Sequence, residues 1–361
     1  MSIDQIGTPA LLLDLDILER NLARMAKRAE ALGVRLRPHV KTHKCPEIGN
    51  LQLAAGAAGI TVSTLYEAQV FADHGFDDIT WAFPLIHSRI DDALALARRI
   101  KLGLVIDSPE ALQALAARHQ GPDPVRVWLK VDCGYHRAGV DPQSEQLVAL
   151  AAGITDAAGL AFAGILTHSG HAYDAYGHDQ RRAVAEQERC VMVSAAQGLR
   201  DGGIEVPDVS VGSTPAMTAV ESLEGISEAR PGNYAFYDYM QCVLGSCRPE
   251  DSAVSVLTSV VSRMPQHSVV DAGALAMSKD PGPDRDAAGM GPIYGDDGGL
   301  DPELRLASVS QEHGIVNRAL PVGTRLRVMP NHSCLTVACF DEYHVVRADE
   351  VVHRWKVWRG R

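Results

Sequence analysis

The 361-residue sequence has no run of eighteen uninterrupted apolar residues, so no segment is long enough to cross a bilayer as a helix. The opening MSIDQIGTPALLLDLD lacks a basic start followed by an apolar stretch and a small-residue cleavage site, and a cytoplasmic location is the expectation. There is no basic excess: 34 Lys and Arg stand against 45 Asp and Glu, a formal charge of −11. That balance argues against nucleic acid or an anionic membrane as partner. A small anionic ligand is still permitted, because a few backbone amides and one arginine bind a phosphate locally. Paired cysteine spacing is also missing; the seven cysteines are odd in number and scattered, as reduced thiols are. No internal repeat is found.

What is there describes an ordinary globular protein, with 46% hydrophobic and 22% charged residues. The length suffices for one barrel-sized domain and a smaller one. From about residue 16 to 235, short apolar or β-branched runs alternate with amphipathic segments. The strand candidates are VRLRPHV (34–40), GITVST (59–64), DITWAFP (78–84), LGLVID (102–107), VRVWLKVD (125–132), AFAGILTH (161–168), PDVSVG (207–212) and ISEARPG (226–232). Helical patterns such as LYEAQVFADHG and SPEALQALAARHQ lie between most of them. Eight strands so spaced predict an α/β fold, a (β/α)₈ TIM-type barrel over 15–240, with an open doubly wound sheet as the alternative.

After residue 240 alternating strand patterns dominate, which predicts a C-terminal all-β domain over 241–361. It is broken by a Gly/Pro/Asp-rich stretch at 280–299, read as a loop.

Barrels of this kind carry their chemistry at the carboxyl ends of the strands. Those positions hold Lys41, Thr64, Asp107, Asp132 with Arg137, Thr167 with His168, Gly212-Ser213-Thr214 and Arg230-Pro231-Gly232-Asn233-Tyr234. Lys41 in RPHVKTHK is either a solvated strand-end lysine or an amine presented to a carbonyl. Arg37 and the adjacent histidines favour the second, since neighbouring positive charge disfavours ammonium. GSTPA and RPGNY, following the seventh and eighth strands, are ordinary turns singly, but together they suggest a phosphate site. Arg137 is either a surface arginine or a guanidinium fixed beside an anionic oxygen. His168 is either a hydrogen-bonded core histidine or a ring stacked on a ligand. His332 and Cys334, two apart on an expected strand, leave one face together, and imidazole with thiolate favours zinc over magnesium or manganese. Two such donors make only half a tetrahedral shell, so the site would be open, and an ordinary His/Cys pair is the alternative.

Taken together, RPHVKTHK, the D-x-G-x-x-R-x-G pattern starting at Asp132, the GSTP turn, RPGNY and PNHSC resemble the D-serine dehydratase and D-threonine aldolase family. That family has the alanine-racemase-like architecture of pyridoxal-phosphate enzymes, fold type III. The resemblance implies that Lys41 carries pyridoxal 5′-phosphate covalently and that Ser213, Thr214, Gly232, Asn233 and Tyr234 surround its phosphate. It implies that Arg137 approaches the phenolic oxygen, that His168 lies against the ring with Tyr173 nearby, and that His332 and Cys334 hold the metal, Zn²⁺ ahead of Mn²⁺ or Mg²⁺. The N-terminal strand, within 1–14, would join the β domain, and the enzyme would be a homodimer. Dehydratase-like members have His-x-Cys where aldolase-like members have His-x-Asp, so the expected activity is β-elimination from a D-3-hydroxy amino acid such as D-serine, giving a 2-oxo acid and ammonia. The alternatives are D-threonine aldolase-type retro-aldol cleavage to glycine and an aldehyde, a D-3-hydroxyaspartate aldolase or dehydratase, a racemase, and a non-catalytic pyridoxal-phosphate carrier.

Overall fold

The computed structural model describes residues 1–119, 121–282 and 289–360. The strands of the first two-thirds are β1 (Ala10–Asp14), β2 (Arg35–Leu36), β3 (Ile60–Val62), β4 (Asp78–Pro84), β5 (Lys101–Ile106), β6 (Val125–Lys130), β7 (Leu160–Leu166), β8 (Asp208–Val211) and β9 (Glu228–Ala229). The remainder are β10 (Val254–Arg263), β11 (Ser268–Val270), β12 (Gly291–Tyr294), β13 (Leu300–Val309), β14 (Gly314–Val316), β15 (Arg325–Val328), β16 (Glu342–Arg347) and β17 (Glu350–Lys356). Two compact units divide them: one is chiefly Met25–Lys41 with Gly49–Gly232, the other Met1–Arg24, Thr42–Ile48 and Asn233–Arg359.

In the first unit eight strands form one parallel sheet in the order β2-β9-β8-β7-β6-β5-β4-β3. A bridge between His39 and Thr61, with Thr61 N donating to Pro38 O at 2.8 Å, joins its two ends into a ring. Every expected strand of the barrel is present, and the helices start where the sequence offers caps. Thr64 accepts from Glu67 N at 3.1 Å and Ser108 from Ala111 N at 3.2 Å, satisfying amides that a first turn leaves open. The ring is thinnest where β2, β9 and β3 supply only two or three residues each. Side chains reinforce it there: buried Arg37 donates to Glu228 Oε2 at 2.7 Å and to Asp78 Oδ1 at 2.8 Å, while Ser210 Oγ donates to Glu228 Oε1 at 2.7 Å.

In the second unit nine strands run in the order β11-β14-β13-β12-β15-β10-β1-β16-β17, and an extra β11–β10 pairing closes part of the sheet on itself. β1 lies between β10, to which it is antiparallel, and β16, to which it is parallel. Its apolar run suits that central place: Leu11, Leu12 and Leu13 are fully buried. The stretch at 280–299, expected as a loop, contains β12, whose Gly291, Pro292 and Ile293 are buried. Its four residues are too few for a periodic signal among glycines and prolines, and the part of that loop at 283–288 falls outside the described residues. Among the described residues no helix is long and apolar enough to cross a membrane.

Candidate active site

At the carboxyl ends of the barrel strands lies a cavity of about 440 Å³, lined by His39, Lys41, Ser63, Thr64, Ala82, Phe83, Pro84, Lys130, Arg137, Ala138, Leu166, His168, Gly212 and Arg230. Four of these are lysines or arginines, and none of the described lining residues is acidic. A volume of this size fits a small ligand, and its charge calls for an anionic one.

Each side chain is delivered by local chemistry. Lys41 sits on a single 3₁₀ turn, Val40–Thr42, just past β2. Arg137 is turned inward by the DCGYHRAGV loop, where Asp132 Oδ1 accepts from Gly134 N at 2.9 Å and His136 N at 3.0 Å, and Asp107 accepts from Gly139 N at 3.1 Å. The two strand-end aspartates thus build the loop and do not line the cavity. Arg137 also lies 4.9 Å over the Tyr135 ring. His168, past β7, has Nδ1 3.4 Å from Gly212 O. Burial, then the charges of Lys41 and Arg137, hold it well below the usual imidazole range, so it is a neutral ring.

Lys130 and Arg230 also line the cavity; Arg230 stood among the strand-end residues of the sequence, whereas Lys130 did not. Lys130 ends β6 and is buried; burial, reinforced by Arg230 and Arg137, lowers its ammonium to about 8. The signal was a lysine inside the apolar run VRVWLKVD. Arg230 is buried and donates to Ser210 Oγ and the Thr167 carbonyl. Arg37, expected to supply positive charge beside Lys41, does not. Its guanidinium is neutralised by Glu228 and by Asp78 at the opposite, amino-terminal end of β4.

The GSTPA turn begins the six-residue helix Thr214–Ala219; Ser213 caps it by accepting from Ala216 N at 3.3 Å. Gly212 adopts φ +121°, and a Cβ there would come 3.0 Å from Arg230 N, so the turn requires glycine. Tyr173 lies on the 3₁₀ segment Gly170–Asp174 after β7 and is not among the residues lining the cavity.

In the other unit, PNHSC is not a strand. β15 ends at Val328 before Pro330, His332 is the extended N-cap, and Cys334 lies in the first turn of the helix Ser333–Val337. The pair therefore meets across a helix start, because proline ends the ladder and the chain turns. His332 Nδ1 is 2.9 Å from Asp280 Oδ2, which leaves Nε2 as its outward nitrogen. Burial disfavours the imidazolium, but contact with Asp280 and Cys334 outweighs it and raises His332 to about 11. Cys334 Sγ donates to Thr42 Oγ1 at 3.3 Å, so the residue following Lys41 in the chain touches the pair. Asn233 and Tyr234, on the 3₁₀ turn Asn233–Ala235, are buried here; the Asn233 amide donates to Asp238 Oδ2 at 2.7 Å and Ser333 Oγ at 3.1 Å. Among the described residues no three His, Cys, Asp or Glu side chains cluster as a metal-binding set. The donors present are an imidazole and a thiol, which fit an open site for a borderline-soft cation completed by other ligands.

Two family models match: that of the alanine racemase N-terminal domain over residues 13–240 and that of a serine dehydratase domain over 253–346. The chain is 41% identical to D-threo-3-hydroxyaspartate dehydratase of Delftia sp. (strain HT23), covering 98% of both. It is 36% identical to D-serine dehydratase of Dictyostelium discoideum, covering 98% of this chain and 97% of that one. A solved structure of D-threo-3-hydroxyaspartate dehydratase, a cysteine-to-alanine mutant in the metal-free form, superposes with a TM-score of 0.96 at 41% identity over 100% of both chains. Barrel, β unit and relatives agree, and the chain belongs to the D-serine dehydratase and D-threonine aldolase family of alanine-racemase-like lyases.

Proposed function

We propose that the chain is a pyridoxal-phosphate- and metal-dependent lyase that dehydrates a D-3-hydroxy amino acid, D-serine or D-threo-3-hydroxyaspartate, to a 2-oxo acid and ammonia. The observation that carries this reading is the acid-free cationic cavity at the strand ends with Lys41 in its wall. Such a cavity fits a phosphorylated aldehyde and an amino-acid carboxylate. Lys41 would hold the cofactor through Nζ, with Arg137, His168 and Tyr173 near its ring and Ser213, Thr214, Gly232, Asn233 and Tyr234 toward its phosphate. His332 and Cys334 would hold the metal, zinc by ligand softness. The division of labour is then barrel for cofactor, residues 15–240, and β domain for metal, residues 241–361 with 1–14. The working form is a cytoplasmic homodimer.

Bound there, the pyridine ring supplies an electron sink at the α-carbon and the metal a Lewis acid for the β-hydroxyl. The protein's part follows from its own groups. Lys41 Nζ, once displaced by the substrate's amino group, would be the amine that takes the α-proton. Lys130, Arg137 and Arg230 bind and orient anionic oxygens. Neutral His168 offers a flat ring without adding charge, and Ala82, Phe83, Pro84 and Leu166 give the cavity an apolar wall that limits water. Asp280 fixes the His332 ring so that Nε2 is the atom left for coordination.

The test is a substrate panel of D-serine, D-threonine and D-threo-3-hydroxyaspartate, scored for 2-oxo acid, ammonia and glycine. Equal yields of 2-oxo acid and ammonia, lost on chelation and regained with zinc, are expected. Glycine and an aldehyde without ammonia would place the chain with the aldolases instead.

A further inference from the structure

We propose that Glu188 is the positioning residue of the phosphate turn. This inference rests on reading the cavity as the seat of a phosphorylated cofactor. Glu188 lies within the long helix His178–Asp201 between β7 and β8, and its side chain is buried, 2% exposed. A carboxylate so placed is costly to desolvate, and an apolar residue would pack that helix at lower cost. Its partners are not on its own helix. Oε1 accepts from Ser169 N at 3.0 Å and from Gly212 N at 3.2 Å, the backbones of the loops after β7 and β8.

Those two loops carry His168 and Gly212, which line the cavity. Ser169 follows His168, and Gly212 opens the turn to Ser213 and Thr214. The loops also touch directly, Ser169 Oγ lying 3.4 Å from Ser213 Oγ. With its N–H held by Glu188 and its carbonyl facing His168 Nδ1, Gly212 is held through both of the peptide groups that flank its Cα. Because Gly212 sits at φ +121°, a conformation open to several alternatives for glycine, an external anchor is what selects one. Glu188 thereby sets where the short helix at Thr214 begins. It also sits within electrostatic reach of Arg230, so the same carboxylate, after that of Glu228, helps balance the buried guanidinium beside the cavity.

The experiment uses the full chain stripped of cofactor and compares its affinity for pyridoxal 5′-phosphate with that for pyridoxal, which has the same ring and aldehyde but no phosphate. The unaltered chain is expected to prefer the phosphorylated form strongly. Glu188→Leu should cut that preference at least ~10-fold with pyridoxal affinity nearly unchanged, because the hydrogen bonds that tie the Gly212 turn to the Ser169 loop through one carboxylate are lost. Glu188→Gln, which keeps an oxygen acceptor, should restore most of it. Glu188→Asp, which withdraws the carboxylate by one methylene and keeps its charge, should behave like the leucine variant and serves where that variant fails to fold. Parallel loss of both affinities, or an unchanged preference in Glu188→Leu and Glu188→Asp, overturns the role of Glu188 alone. No preference in the unaltered chain overturns the cofactor reading and this inference with it.

Discussion

Replacing Lys130 by methionine should stabilise the cofactor-free protein at neutral pH. Methionine keeps the apolar stem and removes an ammonium that the fold buries, 6% exposed, between Arg230 and Arg137. Burial and those two charges lower the group from 10.5 to about 8. That gap corresponds to roughly 3 kcal/mol at 1.36 kcal/mol per pKa unit. Below pH 8 the folded and unfolded chains are both protonated, so the folded state bears the whole cost. Between about pH 8 and 10.5 the unfolded chain binds more protons, and stability rises with pH through this group. Above that window the cost is gone. The gain from Lys130→Met should therefore be largest near pH 7, on the order of 4 °C in melting temperature for a chain of this size, and shrink toward zero by about pH 10.5. Scanning calorimetry of both proteins from pH 7 to 10.5 in phosphate-free buffer checks it. Added inorganic phosphate should stabilise the parent more than the variant, because the anion relieves the same repulsion. A variant that melts lower at pH 7, or a gain that does not diminish with pH, would refute the reasoning.

Three further outcomes follow from named contacts. Asp280→Asn should lower zinc affinity about 10–100-fold by loosening the His332 ring, read by competition with a chromophoric chelator, and an unchanged affinity would separate the two residues functionally. Cys242 and Cys247 hold their Sγ atoms 3.5 Å apart, so oxidised glutathione should close an intrachain disulfide between them, seen as the loss of two titratable thiols and of two hydrogens in mass. Leu12→Ala, in the cluster with Ile6, Ala10, Leu257 and Val346, should cost about 2–5 kcal/mol in denaturant unfolding.

The barrel was legible because its strands are buried runs bounded by helix-capping residues, a pattern that survives without knowledge of contacts. Lys41, Arg137 and His168 were legible by position alone, since each follows a strand end, and all three line the cavity. What sequence could not reveal was which charges cancel. Arg37 stands four residues from Lys41 yet is spent on Glu228 and Asp78, whereas Lys130 and Arg230, distant in sequence, both line the cavity. Glu188 was hidden for the same reason: on a polar helix it resembles any surface glutamate until the fold turns it onto two loop amides. The His332–Cys334 spacing suggested a strand, but Pro330 ends the ladder, and the same two side chains converge through a helix start.

The narrow part of the barrel wall has an evolutionary corollary. Where neighbouring strands share so few ladder bonds, Asp78, Arg37 and Glu228 function as one unit together with Arg126, which also donates to Asp78, each charge tolerable only in company. A lineage could exchange the group for apolar residues only by a coordinated replacement, because any route through one substitution at a time must cross a state with an unpaired charge in the barrel wall.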